Sequence, residues 1–203
     1  ASVVAVTQTT TQAVAIVSSI AAAAGAAAAA AGAAAAALDA VQRHPRQLRD
    51  LSTMIRAQNG ATWVAPFDLA RCADLGDVAP NPGDLMDSMA RMEAFYTRVV
   101  EAGILPLTGG GDHLCSLPIL RAVAKHRPVG MIQFDSHTDL NDIYFGTSRY
   151  NHGTPFRRAV EEGLIDPKRY CLIGIRGTAY GREDWDFAAA NGIPHVLVEG
   201  WNV

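Results

Sequence analysis

The chain has 203 residues, of which 49% are hydrophobic, and a formal net charge of −3 at pH 7. This length and composition are typical of one globular domain, and the balanced charge argues against a nucleic-acid-binding protein. The three cysteines, Cys72, Cys115 and Cys171, are scattered and form no CxxC pattern. We therefore expect buried free thiols in a reducing compartment, which for this chain means the cytoplasm, and no membrane partner.

The first charged residue of the chain is Asp39, and residues 21–37 are alanine interrupted only by Gly25 and Gly32. Alanine favours a helix but cannot specify how that helix packs. No basic segment precedes the tract, as a signal peptide requires, and no aromatic or basic flanks frame it as a membrane span. We draw no functional conclusion from residues 1–40 and assign the functional domain to residues 41–203.

The remaining sequence alternates helical and strand patterns. The predicted elements, in chain order, are a helix at 85–102, a strand at 104–107, a helix at 117–126, a strand at 129–135, a helix at 155–162, a strand at 170–175, a helix at 183–191 and a strand at 193–198. Asp84 or Asn81 is suited to start the first helix, and Gly103 to end it. Strand–helix alternation predicts a parallel sheet with right-handed crossovers and helices on both faces.

The most informative motif is Asp135-Ser136-His137-Thr138-Asp139, at the end of the predicted strand 129–135. Side chains at i, i+2 and i+4 of a strand lie on one side. Asp135, His137 and Asp139 are therefore expected to point into one pocket, and Ser136 away from it. The carboxyl end of a parallel strand is the usual place for a site in an α/β sheet. Two carboxylates and an imidazole suit a divalent ion, manganese before zinc.

Two further motifs are expected to meet this site. Gly109-Gly110-Gly111-Asp112-His113 allows a tight turn, from which His113 leaves toward the same face, with Asp112 as a turn or supporting residue. Asn151-His152-Gly153-Thr154-Pro155-Phe156 stands just before a helix. Each motif alone is weak, because a polar strand end or a packed histidine is common. Their combination at successive strand–helix junctions favours a metal site of His113, Asp135, His137 and Asp139.

Residues from about 45 to 198 resemble the ureohydrolases, the family of arginase, agmatinase, guanidinobutyrase and guanidinopropionase. The GGDH turn, the DxHxD strand end and the HG(T/S) loop correspond to the first three motifs of that family. The runs 141–146 and 150–159 resemble the branch that contains the last three enzymes most. The resemblance implies an arginase-like three-layer α/β/α fold and a homo-oligomer, a trimer or hexamer. The family's later SxDxDxxDP motif does not occur in these residues, so we interpret the domain as incomplete at both ends.

The resemblance also implies a reaction. Family members hydrolyse a guanidino compound to urea and an amine, using a hydroxide that bridges two Mn²⁺ or Ni²⁺ ions per subunit. By motif, Asp135 bridges both ions, His113 and Asp139 complete the set of one ion, and His137 binds the other. Asp139 also accepts a hydrogen bond from the hydroxide. His152 is implied as the proton shuttle to the leaving amine.

The loop 140–151 is expected to contact the tail of the substrate. Asn141 matches a tail-binding position of the family, and Tyr144, Phe145 and Arg149 are further candidates by their position in the loop. An acidic tail would favour a cationic partner such as Arg149. Loop packing or solvation is the competing interpretation for each. Agmatine, 4-guanidinobutyrate, 3-guanidinopropionate and guanidine all remain open as substrates.

Two other functions remain as hypotheses. One is a non-catalytic ureohydrolase-like subunit or fragment that lacks the second aspartate pair. The other is a zinc deacetylase, since deacetylases share the general fold. The pairing of GGGDH with HGTPF argues against the deacetylase.

Overall fold

A computed structural model of the protein describes residues 2–7, 13–18 and 58–197, with the backbone alone described for the first two ranges. The alanine tract at 21–37 lies outside the described residues. The chain divides into two compact units, one of residues 27–79 and one of residues 1–26 with 80–203. In the first unit, the described part contains one short helix, α1 (Pro66–Leu69). All predicted site residues belong to the second unit.

Six strands of the second unit form one sheet in the order β3-β1-β2-β4-β5-β6. The strands are β1 (Ser2–Thr7), β2 (Ala13–Ser18), β3 (Thr108–Gly110), β4 (Val129–Phe134), β5 (Ile165–Ile175) and β6 (His195–Leu197). Strands β2, β4, β5 and β6 pair in parallel, as the strand–helix alternation predicts. Strand β1 is antiparallel to both of its neighbours, so the sheet is mixed. Residues 1–40, from which we drew no conclusion, thus contribute two strands.

The strand predicted at 104–107 is wrong. The chain there is irregular, and the strand begins only at Thr108. Pro106 lies in the middle of the predicted segment and has no amide hydrogen to donate to a ladder. Leu107, the last residue of the predicted strand, is 72% exposed. The residues of this segment that pair with β1 are Thr108, Gly109 and Gly110, so the strand includes the first two residues of the glycine turn.

The other helices are α2 (Leu85–Glu101), α3 (Ser116–Val123), α4 (Pro155–Glu161) and α5 (Glu183–Ala190), with a 3₁₀ turn at His113–Cys115. The predicted start of α2 is confirmed, because the Asp84 side chain accepts a hydrogen bond from the Asp87 N–H at 3.0 Å. Gly103 follows with a φ of 73°, the left-handed conformation that commonly ends a helix. Within the described ranges, no helix combines the length and apolarity needed to cross a bilayer.

The core forms where helices α3, α4 and α5 meet one face of β4 and β5. On that face, Met131 of β4 is paired in register with Tyr170 of β5, and Gln133 with Leu172. All four side chains are buried. Met131, Tyr170 and Leu172 join a cluster with the helix residues Leu117, Leu120, Phe156, Ala159 and Ala188. Burial of each large apolar side chain contributes about 1.5–3 kcal/mol, so this face holds the carboxyl ends of β4 and β5 in place.

The three cysteines are free. Cys115 and Cys171 are partly buried, and burial raises the pKa of the Cys115 thiol to about 11, which fits an inert packing residue. The prediction of buried thiols is wrong for Cys72, which is exposed. Cys72 lies in a stretch without regular structure, which has no apolar face to cover it.

Candidate metal centre

Three of the predicted ligands converge in the structure. One ligand atom from each of His113, Asp135 and Asp139 lies within 4.8 Å of the other two. His113 Nδ1 is 2.6 Å from Asp139 Oδ2 and 3.2 Å from Asp135 Oδ2. All three side chains are at least nine-tenths buried. Two carboxylate oxygens and one imidazole nitrogen that face a common point are a donor set that a divalent cation prefers.

The charges of this cluster are compatible with a bound cation. Burial disfavours the imidazolium, but hydrogen bonds to Asp135 and Asp139 outweigh it and raise the pKa of His113 to about 9. Burial also opposes ionisation of Asp135, yet hydrogen bonds from His113 and Gln133 lower its pKa to about 2. At Asp139 burial prevails and raises the pKa of the carboxyl. A proton on His113 balances the carboxylates in the metal-free protein, and a divalent cation would compete with that proton.

His113 is positioned by the turn that precedes it and by helix α4. The Asp112 side chain accepts a hydrogen bond from the Leu114 N–H at 2.8 Å, which confirms Asp112 as a turn residue. The imidazole packs edge-to-face on Phe156, with 4.8 Å between ring centroids. The Phe156 N–H in turn donates to the carbonyl oxygen of Asp139 at 3.3 Å. The first turn of α4 therefore holds two of the three clustered residues.

The segment that carries the DxHxD motif leaves the strand earlier than predicted. Strand β4 ends at Phe134, and Asp139 adopts a left-handed conformation with a φ of 50°. Strand alternation therefore does not extend through the motif. His137 is exposed and lies outside the three-residue cluster, so its role as a ligand stays a prediction. Ser136 Oγ lies 3.1 Å from His137 Nδ1, so these two neighbouring side chains do not point to opposite sides as strand alternation predicted.

His152 lies beside an aromatic group at the surface. Its ring makes edge-to-face contacts with Tyr144 and Phe145, each with 5.5 Å between centroids. Tyr144 also packs on Tyr180 at 5.2 Å. Burial and a hydrogen bond with Tyr180 raise the pKa of Tyr144 to about 12, so its hydroxyl stays protonated. Tyr180 was not among the predicted site residues, because it lies far along the chain from the motif loops.

Asn141 connects the ligand loop to the His152 loop. Its backbone N–H and its side-chain Nδ2 both donate to the carbonyl oxygen of Gly153, each at 3.1 Å. The residue predicted to bind the substrate tail is therefore used, in this structure, to hold the backbone next to His152.

Arg149 is engaged by acidic residues of its own chain. Its guanidinium lies 3.0 Å from Asp142 and 3.4 Å from Glu161, and about half of the side chain is exposed. An acidic substrate tail would have to compete with these two carboxylates.

The sequence profile of the arginase family matches residues 28–200. The chain belongs to the arginase family. It is 53% identical over 158 residues to the guanidinopropionase of Pseudomonas aeruginosa, covering 77% of this chain and 50% of that protein. It is 47% identical over 156 residues to the guanidinobutyrase of the same organism, covering 76% and 49%. These findings confirm the resemblance predicted from the motifs.

Solved structures confirm the α/β fold of this arginase-family chain. The proclavaminate amidino hydrolase of Streptomyces clavuligerus superimposes with a TM-score of 0.68 at 30% identity, over 79% of this chain and 54% of that one. The chain thus spans about half the length of the relatives that it matches.

Two buried residues next to the cluster were not found from the motifs. Gln133 and Tyr170, both fully buried, bond to each other, and Gln133 also bonds to Asp135. The available signal was a glutamine in the otherwise apolar run of β4. Tyr170 is an ordinary strand residue in sequence and gave no such signal.

Proposed function

We propose that this chain is part of a metal-dependent hydrolase that cleaves a guanidino compound to urea and an amine, in a cytoplasmic homo-oligomer. The observation that carries the proposal is the buried cluster of His113, Asp135 and Asp139. The cluster lies at the motifs that a ureohydrolase requires, and the chain is 53% identical to a guanidinopropionase over 158 residues. Oxygen-rich ligation favours Mn²⁺, with Ni²⁺ as the alternative.

The roles proposed for the metal ligands are those that the motifs of the family imply. Asp135 would contact two ions, His113 and Asp139 would complete the set of one of them, and His137 would bind the other. Such a pair of ions, when bound, lowers the pKa of a water molecule and so supplies a nucleophile near neutral pH. The burial of the cluster excludes bulk water from around the ligands, which strengthens their attraction for the ions.

His152 is proposed to hold a proton at a ring nitrogen and to pass it to the departing amine. Its exposure leaves the ring open to a substrate, and its edge-to-face contacts with Tyr144 and Phe145 limit its rotation. The bond from Asn141 to Gly153 keeps this loop next to the ligand loop. A histidine is suited to the role because its ordinary pKa lies close to neutrality.

The guanidino substrate is proposed to place its tail over Tyr144, the loop residue that contacts His152. Asn141 and Arg149 remain candidates for tail contacts, and the relative at 53% identity makes 3-guanidinopropionate the first substrate to test. Arg149 would have to exchange Asp142 and Glu161 for the carboxylate of such a tail.

A second candidate function is a non-catalytic ureohydrolase-like subunit. The observation that favours it is the exposed position of His137, outside the cluster of three ligands. A subunit of this kind binds one ion at His113, Asp135 and Asp139 and releases no urea.

The test is urea release by the purified protein with Mn²⁺ or Ni²⁺, across 3-guanidinopropionate, 4-guanidinobutyrate, agmatine and guanidine. We expect urea from one of these, and its loss in His113→Ala and His137→Ala. The matched control is His126→Ala, an exposed histidine just beyond α3. Metal binding without urea from any substrate would favour the non-catalytic subunit, and urea release unaffected by His113→Ala would contradict the proposed centre.

A further inference from the structure

Gln133 is a fully buried polar residue on the core face of β4. Its neighbours on this face, Met131 and Leu172, are apolar. A buried amide that lacks hydrogen bonds lowers folding stability by about 1–3 kcal/mol, so an unbonded glutamine here would be less stable than an apolar side chain of similar size. Both polar atoms of its amide are bonded, however, and one bond reaches a metal-ligand candidate.

The amide nitrogen of Gln133 donates to Asp135 Oδ2 at 3.0 Å and to the carbonyl oxygen of His137 at 3.3 Å. The amide oxygen accepts a hydrogen bond from the Tyr170 hydroxyl. Tyr170 reaches it diagonally across the sheet, since its register partner is Met131, two residues before Gln133. Three residues are thus connected in a line from the core to the cluster.

The direction of each bond in this line is fixed by chemistry. An ionised carboxylate and a backbone carbonyl can only accept, so the atom of Gln133 that faces Asp135 and His137 has to be the nitrogen. The opposite atom is then the oxygen, and the Tyr170 hydroxyl has to donate to it. No other orientation of the amide leaves all of these buried groups satisfied.

The line fixes the plane of the Asp135 carboxylate. Oδ2 accepts from Gln133 and faces His113 Nδ1 at 3.2 Å, while Oδ1 accepts from the His137 N–H at 3.1 Å. The same glutamine holds the His137 carbonyl, so it also restrains the backbone of the motif. Without Gln133, the Asp135 carboxylate keeps its contacts with the His137 N–H and with His113 but loses the one side-chain amide donor on Oδ2.

We propose that Gln133 and Tyr170 are positioning residues, a relay in which Tyr170 orients the Gln133 amide and the amide orients Asp135 for metal binding. The proposal rests on the metal centre of the proposed function and adds two residues to it. Groups that orient metal ligands in this way typically contribute about 10–100-fold in metal affinity. Both are proposed to act through the groups that Gln133 bonds, the Asp135 carboxylate and the His137 carbonyl.

The test is Mn²⁺ affinity of the purified protein, measured by calorimetric titration for matched variants. Gln133→Met keeps the length of the side chain and removes its hydrogen bonds, and we expect affinity to fall by about 10–100-fold. Leu172→Met, a volume-conserving change at the register partner of Gln133, is the packing control and should leave affinity unchanged. His113→Ala should abolish binding, and circular dichroism verifies the fold of each variant.

A relay makes a prediction that simple packing does not. As a single change, Tyr170→Phe removes one oxygen atom and should weaken Mn²⁺ binding. It should cause no further loss of affinity when Gln133→Met is already present. If Gln133→Met fails to fold, the Mn²⁺ affinity of Tyr170→Phe tests the relay by itself. An unchanged affinity in the Tyr170→Phe protein overturns the relay.

The remaining outcomes separate the relay from the proposed function. Wild-type affinity in Gln133→Met, with binding lost in His113→Ala, overturns the relay and leaves the metal centre standing. Additive losses in the double variant also overturn it, because Tyr170 would then act independently of Gln133. Absence of Mn²⁺ binding by the wild-type protein overturns the metal centre and the relay together.

Discussion

Thr138 Oγ1 donates a hydrogen bond of 2.6 Å to Asp184 Oδ2, and both residues are buried. Thr138 stands between His137 and Asp139 in the ligand loop, and Asp184 lies in the first turn of α5. The other oxygen of Asp184 accepts from the Trp185 N–H at 2.9 Å. The ligand loop is thereby fastened to a helix that contributes no ligand, so its conformation depends on more than the cluster itself.

Thr138→Val should destabilise the protein. The change keeps the shape of the side chain but leaves Oδ2 of the buried Asp184 carboxylate without the donor it has in Thr138, at an expected cost of about 1–3 kcal/mol. Urea unfolding monitored by circular dichroism measures the loss. Thr138→Ser, which retains the hydroxyl, is the control, and its free energy of unfolding should decrease clearly less. Equal stability of the valine and wild-type proteins would show that the bond contributes nothing.

Gly174→Ala, a change in strand β5, should disturb the segment 135–139 that carries the candidate ligands. Gly174 has a φ of 93°, and an added Cβ would lie 3.2 Å from the carbonyl oxygen of Asp135. A side chain in this conformation costs roughly 1–3 kcal/mol, and the contact falls on a ligand residue. Unfolding free energy and Mn²⁺ affinity should both decrease. Gly181→Ala, where an added Cβ meets nothing within 4 Å, serves as the matched control.

The stability of the metal-free protein should fall as the pH rises. The pKa of His113 is raised from 6.5 to about 9 in the folded state. Pairing of the protonated ring with the carboxylates therefore stabilises the fold fully below pH 6.5, and this contribution is lost as the pH rises through 9. The loss should amount to at most roughly 3 kcal/mol, as measured by urea unfolding across this window.

Two comparisons isolate His113 in that experiment. His113→Gln should flatten the decrease, because the group that titrates is gone. Saturating Mn²⁺ should also reduce it, since the cation takes the place of the proton between the carboxylates. The assignment fails if the wild-type and glutamine proteins show the same pH dependence.

Asp142→Asn should destabilise the protein more than Arg158→Met does. Arg158 is buried and pairs through Nη2 with Asp142 at 2.5 Å and Glu161 at 3.1 Å. Its Nε and Nη1 find no hydrogen-bond partner among the described residues. Loss of the Asp142 charge removes one of the two carboxylates that pair with this buried guanidinium, which should lower the folding stability by about 1.5–3 kcal/mol. Removal of Arg158 leaves Asp142 paired with Arg149 at 3.0 Å, and urea unfolding should rank the two variants accordingly.

Helix bounds were predictable where a local signal marks them. Asp84 starts α2 by capping it, and Gly103 and Gly163 follow α2 and α4 with positive φ, as their positions in the sequence indicate. These signals act within one turn of the chain and need no partner. The strand predicted at 104–107 fails for the opposite reason, because pairing with β1 decides where β3 begins.

The same distinction between local signals and tertiary structure applies to the candidate site. The sequence by itself determined the types and the order of the candidate ligands, with His113 before Asp135, His137 and Asp139, because motif residues are read along the chain. Only the tertiary structure decided that three of them meet while His137 stays exposed, because the chain leaves β4 at Phe134 and strand alternation ends there. Gln133–Tyr170 and Thr138–Asp184 also depend on the fold, since each pair joins residues about 40 positions apart, beyond the reach of any local pattern.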